Sequence, residues 1–361
     1  MSDGTSDNLT AVIDGAMALV TLDRPKALNA LTTDMRARLA KALWNFARDP
    51  QVYAVVMQST SPKAFSAGSD VREVTSWARE DLARARRAFA DEYALNWQCE
   101  CFSKPTIPLM NGMVMGGGVG ITMFGTHRVA GEGYRFAMPE TQIGLFPDIG
   151  ICHVFSRLER HMGLYLGLTG RTIGRADAYA LGLATHCIAA RHFDAIKADI
   201  AEAWPVDPAL DDRHEDPGPP ELAPYASIID ECFSAPSVEE IVARLEAVGG
   251  STQAWAQAVA ADLRRRSPLS LKITHRHIRE AGARDLRQTL QVDYRLACRL
   301  LEGHDFFEGV RAVLIDKDGA PRWQPARLED VTQDMVDACF APLEADELAL
   351  PTRQDMQELR A

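Results

Sequence analysis

The chain has 361 residues, of which 47% are hydrophobic and 25% charged, and its formal net charge at pH 7 is -11. That is enough apolar material for one large or two medium domains with buried cores. The acidic balance argues against nonspecific binding to nucleic acid or to an anionic membrane surface, while leaving room for a local basic pocket around an anionic small molecule. No apolar run approaches the roughly 20 residues of a membrane span. The start, Met1-Ser2-Asp3-Gly4-Thr5-Ser6-Asp7, lacks a basic n-region and a hydrophobic h-region, and the first basic residue is Arg24, so the expected location is cytoplasmic. Cysteines stand at 99, 101, 152, 187, 232, 298 and 339. Cys99-Glu100-Cys101 is too close for a zinc knuckle and has no second pair nearby, so reduced structural thiols and no metal are expected.

In chain order, apolar runs at 11–13 and 17–22 flank Asp14-Gly15, which predicts an N-terminal hairpin. Thr32 or Thr33 can cap a helix with Met35, Leu39, Leu43 and Phe46 at three- and four-residue steps, ended by Asp49-Pro50. Residues 52–57 read as a buried strand, 106–110 as another, 117–124 as a helix and 128–130 as a short extended piece. The alternation predicts an α/β fold. Residues 211–220 form an acidic, proline-rich surface linker, and 237–248 and 253–265 read as amphipathic helices. The C-terminal third is mostly helical.

The most informative stretch is Met115-Gly116-Gly117-Gly118-Val119-Gly120, with Glu140 and Asp148 downstream. Consecutive glycines let the backbone approach a ligand without a Cβ, and a helix starting near Gly117 turns its positive end to that place. A second loop, residues 63–70, can supply another N–H. Two such donors favour a developing oxyanion, and two carboxylates can move protons or attack a carbonyl. A Rossmann turn fails on context: the glycines do not match G-x-G-x-x-G, and no ribose-binding acid follows.

Leu22-Asp23-Arg24-Pro25-Lys26-Ala27-Leu28-Asn29-Ala30-Leu31, the loop Phe65-Ser66-Ala67-Gly68-Ser69-Asp70 and the glycine cluster together resemble the crotonase (enoyl-CoA hydratase/isomerase) superfamily. The resemblance implies a spiral of ββα units with a mostly helical C-terminal region, a coenzyme A thioester substrate, and an oxyanion hole from the N–H groups of Ser69 and Gly117. In this reading the Ser69 side chain has no necessary catalytic part. The domains expected are a crotonase-like core over 1–195, a helical segment with the acidic linker over 196–265, and a helical C-terminal region and tail over 266–361.

Hydratases of that superfamily use two glutamates. Here the first position is Gly120, while the second is Glu140, and Asp148 stands where hydratases generally carry glycine. That exchange, with Ala137-Met138-Pro139-Glu140-Thr141, Phe146-Pro147-Asp148 and the long run from Gly303 to Asp318, is similar to the 3-hydroxyisobutyryl-CoA hydrolase branch. The resemblance implies substrate contacts from Glu92, Gly117, Glu140 and Asp148, with Glu140 acting on the thioester as nucleophile or through water. Asp148 would meet the substrate's 3-hydroxyl or place the water, Glu92 would shape the acyl pocket, and Asp70 would brace its loop. The implied activity is hydrolysis of 3-hydroxyisobutyryl-CoA in valine breakdown, with no cofactor beyond the coenzyme A of the substrate. An enoyl-CoA isomerase or hydratase using Glu140 alone, and a noncatalytic acyl-CoA-binding subunit, are the alternatives. Departures fall at Ile151-Cys152-His153, bulkier than the branch's glycines and expected to reshape the acyl pocket, with His153 packed and neutral. Arg24, Lys26 and Lys63 are candidates for the coenzyme A phosphates. Relatives often form trimers or pairs of trimers, but the extended C-terminal region can instead fold back on its own subunit.

Overall fold

The computed structural model describes residues 8–359. Residues 1–7, on which the cytoplasmic expectation partly rests, lie outside them. The N-terminal hairpin pairs β1 (Leu9–Asp14) with β2 (Met17–Leu22) from Leu9 against Leu22 to Asp14 against Met17. Its two-residue loop is therefore Gly15-Ala16, one position later than expected. Helix α1 (Thr33–Arg48) is capped by Thr32, whose side chain accepts the Met35 N–H at 3.1 Å, and it buries Met35, Leu39, Leu43 and Phe46 as the spacing predicts. It buries Arg36 as well. Strand β3 (Ala54–Ser59) begins two residues later than the apolar run, because the Val52 N–H still closes a turn on the Asp49 carbonyl at 3.2 Å.

After β4 (Ala64–Ser66) come helices α2 (Val71–Ala78) and α3 (Leu82–Glu100). Strands β5 (Thr106–Met110) and β6 (Met113–Met115) lead into the single turn α4 (Gly117–Gly120). Strands β7 (Val129–Ala130) and β8 (Arg135–Ala137) precede α5 (Ile151–Phe155) and α6 (Met162–Thr169), and β9 (Ile173–Gly174) and β10 (His186–Cys187) complete the set. One sheet has the order β1-β2-β3-β5-β7-β10 and the other β4-β6-β8-β9. The pairs β3 and β4, β5 and β6, and β7 and β8 each give one member to each sheet before the chain turns into helix. That is the expected spiral of ββα units, parallel from β2 inward along the first sheet. The helix predicted over 117–124 stops at Gly120, because the Thr122 hydroxyl turns back onto the Gly118 and Val119 carbonyls and competes with further helical bonding.

The acidic stretch after residue 211 is tied to β10: the Glu215 N–H donates to the Cys187 carbonyl at 2.9 Å, and the Cys187 N–H to His214 Nδ1 at 3.1 Å. The two amphipathic helices appear as Val238–Ala247 and Gln253–Arg265. Beyond them, helices Pro268–Ala281, Leu286–Leu300 and Asp305–Val310 pack back on the spiral, and one contiguous core runs from Leu9 through Phe146 and Leu290 to Met356. No helix among the described residues is long and apolar enough to cross a membrane.

Candidate active site

Two loops are brought together by the residues around Asn29. Its buried side-chain amide donates to Ser59 Oγ at 2.6 Å and to the Phe65 carbonyl at 3.0 Å, while Ser66 Oγ donates to the Asn29 carbonyl at 2.9 Å. Arg24 pairs with Asp70 at 2.8 Å and also reaches the Ala30 carbonyl at 3.0 Å, so Asp70 braces the loop as expected. Arg24 is committed to that brace. Lys26 and Lys63 are exposed.

With the loop fixed in this way, Ser69 lies beside Gly117. A Cβ built on Gly117 would collide with Ser69 Oγ, sit 2.5 Å from Glu92 Oε1 and lie 3.1 Å from Ser69 N, so only glycine permits this approach. Among the described residues neither the Ser69 nor the Gly117 N–H has a protein acceptor. Gly117 is the first residue of α4, where the N–H groups have no helical partner. Both face a cavity of about 270 Å³ lined by, among others, Leu28, Phe89, Glu92, Glu140, Asp148 and Leu314. Two unpaired donors opening on one cavity are suited to hold a negative oxygen.

Glu92, on α3, is buried and fully engaged. Oε1 accepts from Ser69 Oγ, and Oε2 accepts from the buried guanidinium of Arg36 at 2.6 Å. The Ser69 side chain therefore has a part the sequence reading did not give it: it orients Glu92. Glu140 opens a short 3-10 turn, Glu140–Ile143, after Pro139. Helix Asp305–Val310 lies directly against this turn, because Gly309 lets its backbone touch Ile143. Glu140 is buried, and its Oε2 has no hydrogen-bond partner. Burial lifts its carboxyl from the ordinary 4.5 to about 8, the neighbouring Glu92 adding to the rise against its own backbone N–H.

Asp148 is equally buried but partnered, accepting from the Tyr93 hydroxyl at 2.8 Å. Burial first, then the charges of Glu92, Glu140 and Asp293, hold it well above the usual carboxylate range, with the Tyr93 bond pulling the other way. Its turn continues through Ile149 at φ 56° and Gly150 at φ 78°. The Gly150 N–H donates to Asp293 Oδ2 at 2.6 Å, and Asp293 Oδ1 is bonded to His277 Nε2 at 2.6 Å.

The expected effect of Ile151, Cys152 and His153 on the acyl pocket does not appear. Ile151 and Cys152 are fully buried away from the cavity, Cys152 Sγ donating to the Pro147 carbonyl at 3.0 Å. His153 is half-buried on α5 and outside the cavity lining; burial and Arg157 lower its pKa, so it is a packed, neutral ring at pH 7. Gly120 is more informative. A Cβ there would come 2.5 Å from Asn96 Nδ2 and 3.2 Å from Ile149 Cβ, so Asn96 fills the place of a side chain at 120. The residues missed by sequence reasoning are Arg36, Tyr93, Asn96, His277 and Asp293.

Two amides beside a buried, unpaired carboxylate, at the junction of two parallel-strand layers, define an acyl-thioester site on a crotonase spiral. Residues 17–340 match the enoyl-CoA hydratase/isomerase family, and the chain belongs to it. Within that family it is 39% identical to the mitochondrial 3-hydroxyisobutyryl-CoA hydrolase of Danio rerio, over 93% of this chain and 90% of that protein. It is also 39% identical to 3-hydroxyisobutyryl-CoA hydrolase 1 of Arabidopsis thaliana, over 95% of this chain and 94% of that protein. A crystal structure described as a carnitinyl-CoA dehydratase from Mycobacterium thermoresistibile superposes with a TM-score of 0.90 at 36% identity, covering 95% of this chain and 99% of that one.

Proposed function

We propose that the protein hydrolyses a short-chain 3-hydroxyacyl-CoA thioester, 3-hydroxyisobutyryl-CoA, to 3-hydroxyisobutyrate and coenzyme A, as a step of valine breakdown. The curated relatives support the substrate. The observation that carries the reaction class is the filled space at Gly120: Asn96 occupies the place a side chain at 120 would take, while Asp148 adds a second carboxyl to the cavity that Glu140 lines.

The thioester oxygen accepts from the Ser69 and Gly117 N–H groups, which favour it most when it becomes negative; one such donor is worth about 3 kcal/mol. Glu140, in its ionised fraction, acts on the carbonyl carbon by one of two routes. In the first it attacks directly, the C–S bond breaks, coenzyme A leaves as the thiolate and takes a proton from solvent, and water then cleaves the mixed anhydride. In the second it takes a proton from water, the hydroxide adds, and the same carboxyl returns the proton to the departing thiolate. A group titrating near 8 can run in both directions at neutral pH. Asp148 meets the 3-hydroxyl, steadied by Tyr93, and Glu92 stays fixed by Arg36 and Ser69 as a wall of the acyl pocket. The chemistry uses water and these side chains, with coenzyme A entering as part of the substrate. Repeated turnover in ¹⁸O-water separates the routes, since only the anhydride route can place label in Glu140.

Release of free coenzyme A from 3-hydroxyisobutyryl-CoA, followed with a thiol reagent, tests the function; a rate at the no-enzyme background refutes it. Hydration is the second reading, favoured by the likeness to a dehydratase structure. It requires loss of enoyl-thioester absorbance without thiol release. The cytoplasmic location belongs to the same proposal and is tested by fractionation, the name of the Danio rerio relative pointing instead to mitochondria.

A further inference from the structure

We propose that Asp293 and His277, on two helices of the C-terminal region, are a positioning pair that aims Asp148 at the 3-hydroxyl of the acyl group and so sets the selectivity for hydroxylated substrates. The inference rests on the thioesterase reading above. Neither residue touches the cavity. Both side chains are fully buried and bonded to each other, with the His277 ring edge-on to Phe146 at 5.8 Å and to Phe340 at 6.2 Å between centroids.

The second oxygen of Asp293 takes the Gly150 N–H, two residues beyond Asp148. Between them the backbone makes two successive left-handed steps, at Ile149 and Gly150, the first of them on a β-branched residue. Such a conformation is strained and persists only where the surroundings over-determine it. Asp293 supplies the anchor from one end and Tyr93, bonded to the carboxyl itself, from the other. A buried polar pair of this kind is a poor device for stability alone, since apolar residues of similar volume do as well. Its placement at this turn gives it a use that apolar residues would not have.

The experiment compares 3-hydroxyisobutyryl-CoA with isobutyryl-CoA, which differs only in lacking the hydroxyl. Asp293→Ala should lower the ratio of kcat/KM for the hydroxylated over the plain thioester by about tenfold or more, as loss of a residue that orients a reacting group commonly does. Activity on isobutyryl-CoA should change by less than about threefold. Asp293→Asn keeps an acceptor for the Gly150 N–H and should restore most of the ratio. If Asp293→Ala does not fold, His277→Phe preserves the ring packing and removes the donor, and should lower the ratio in the same direction. Proportional loss on both thioesters, or an unchanged ratio in the folded variants, overturns the positioning role alone. No coenzyme A release by the unaltered protein from either thioester overturns the thioesterase reading and this inference with it.

Discussion

Glu140 and Asp148 stand eight residues apart in the sequence and line one cavity, yet the fold treats them differently. Asp148 has a hydroxyl on its carboxyl and an anchored turn behind it, whereas Glu140 has a buried oxygen with no partner at all. A native buried carboxyl oxygen without a donor is costly, because desolvation is not offset. In the proposed mechanism the difference separates a group kept free to react from a group kept still to recognise.

The largest effect expected from breaking this division is at Glu140. Glu140→Gln should lower coenzyme A release by about 10³-fold, within the range for loss of an acid–base group, while substrate binding, read by calorimetry, stays within a few-fold. A variant retaining a tenth of the activity would move the reaction to another residue. Replacing Gly117 by Ala comes next, since the added methyl meets Ser69 and Glu92 and displaces a donor; about 10²-fold loss in kcat is expected with a lower melting temperature. Tyr93→Phe leaves Asp148 without its hydrogen bond, at a cost of about 1–3 kcal/mol in kcat/KM, and the plain isobutyryl thioester should be spared.

Stability offers the gentlest probe. The Glu140 carboxyl titrates near 8 when folded and near 4.5 in its ordinary state, so between those values the unfolded chain gives up its proton first. The folded state therefore loses stability as pH rises from 4.5 to about 8 and levels off above it. Glu140→Gln lacks that loss: its melting temperature should match the parent's near pH 4.5 and exceed it at pH 8. In the active protein kcat/KM should rise with pH toward the same value of about 8. A profile that stays level up to about 8 and falls above it would show that the protonated carboxyl is the working form.

The same contrast explains what the sequence could disclose. Glu140, Asp148 and the two glycine-bearing loops are local signals, and the cap at Thr32 and the stripe from Met35 to Phe46 are helical arithmetic. The supports were harder, because they join distant positions: Arg36 and Glu92 are 56 residues apart, Gly150 and Asp293 143. Two of them nevertheless left a trace. Arg36 sits on the apolar stripe of α1, and Asp293 lies between Leu290 and Leu296 on the buried face of its helix. A charge on such a stripe requires a partner inside. The side-chain role of Ser69 left none, since the hydroxyl of a loop serine predicts no direction. The one-residue shift of the hairpin loop and the early end of α4 were decided by cross-strand register and by the Thr122 hydroxyl, both invisible to periodicity.

The packing of Asn96 against Gly120 bears on tolerance to substitution as well as on chemistry. A mutation that restored glutamate at 120 would meet an occupied site, and one that trimmed Asn96 first would open a void beside the buried turn at Ile149. Each single step is disfavoured, although the double replacement is sterically open. The two positions are thus sterically coupled, so Gly120→Glu combined with Asn96→Ala should fold better than Gly120→Glu alone.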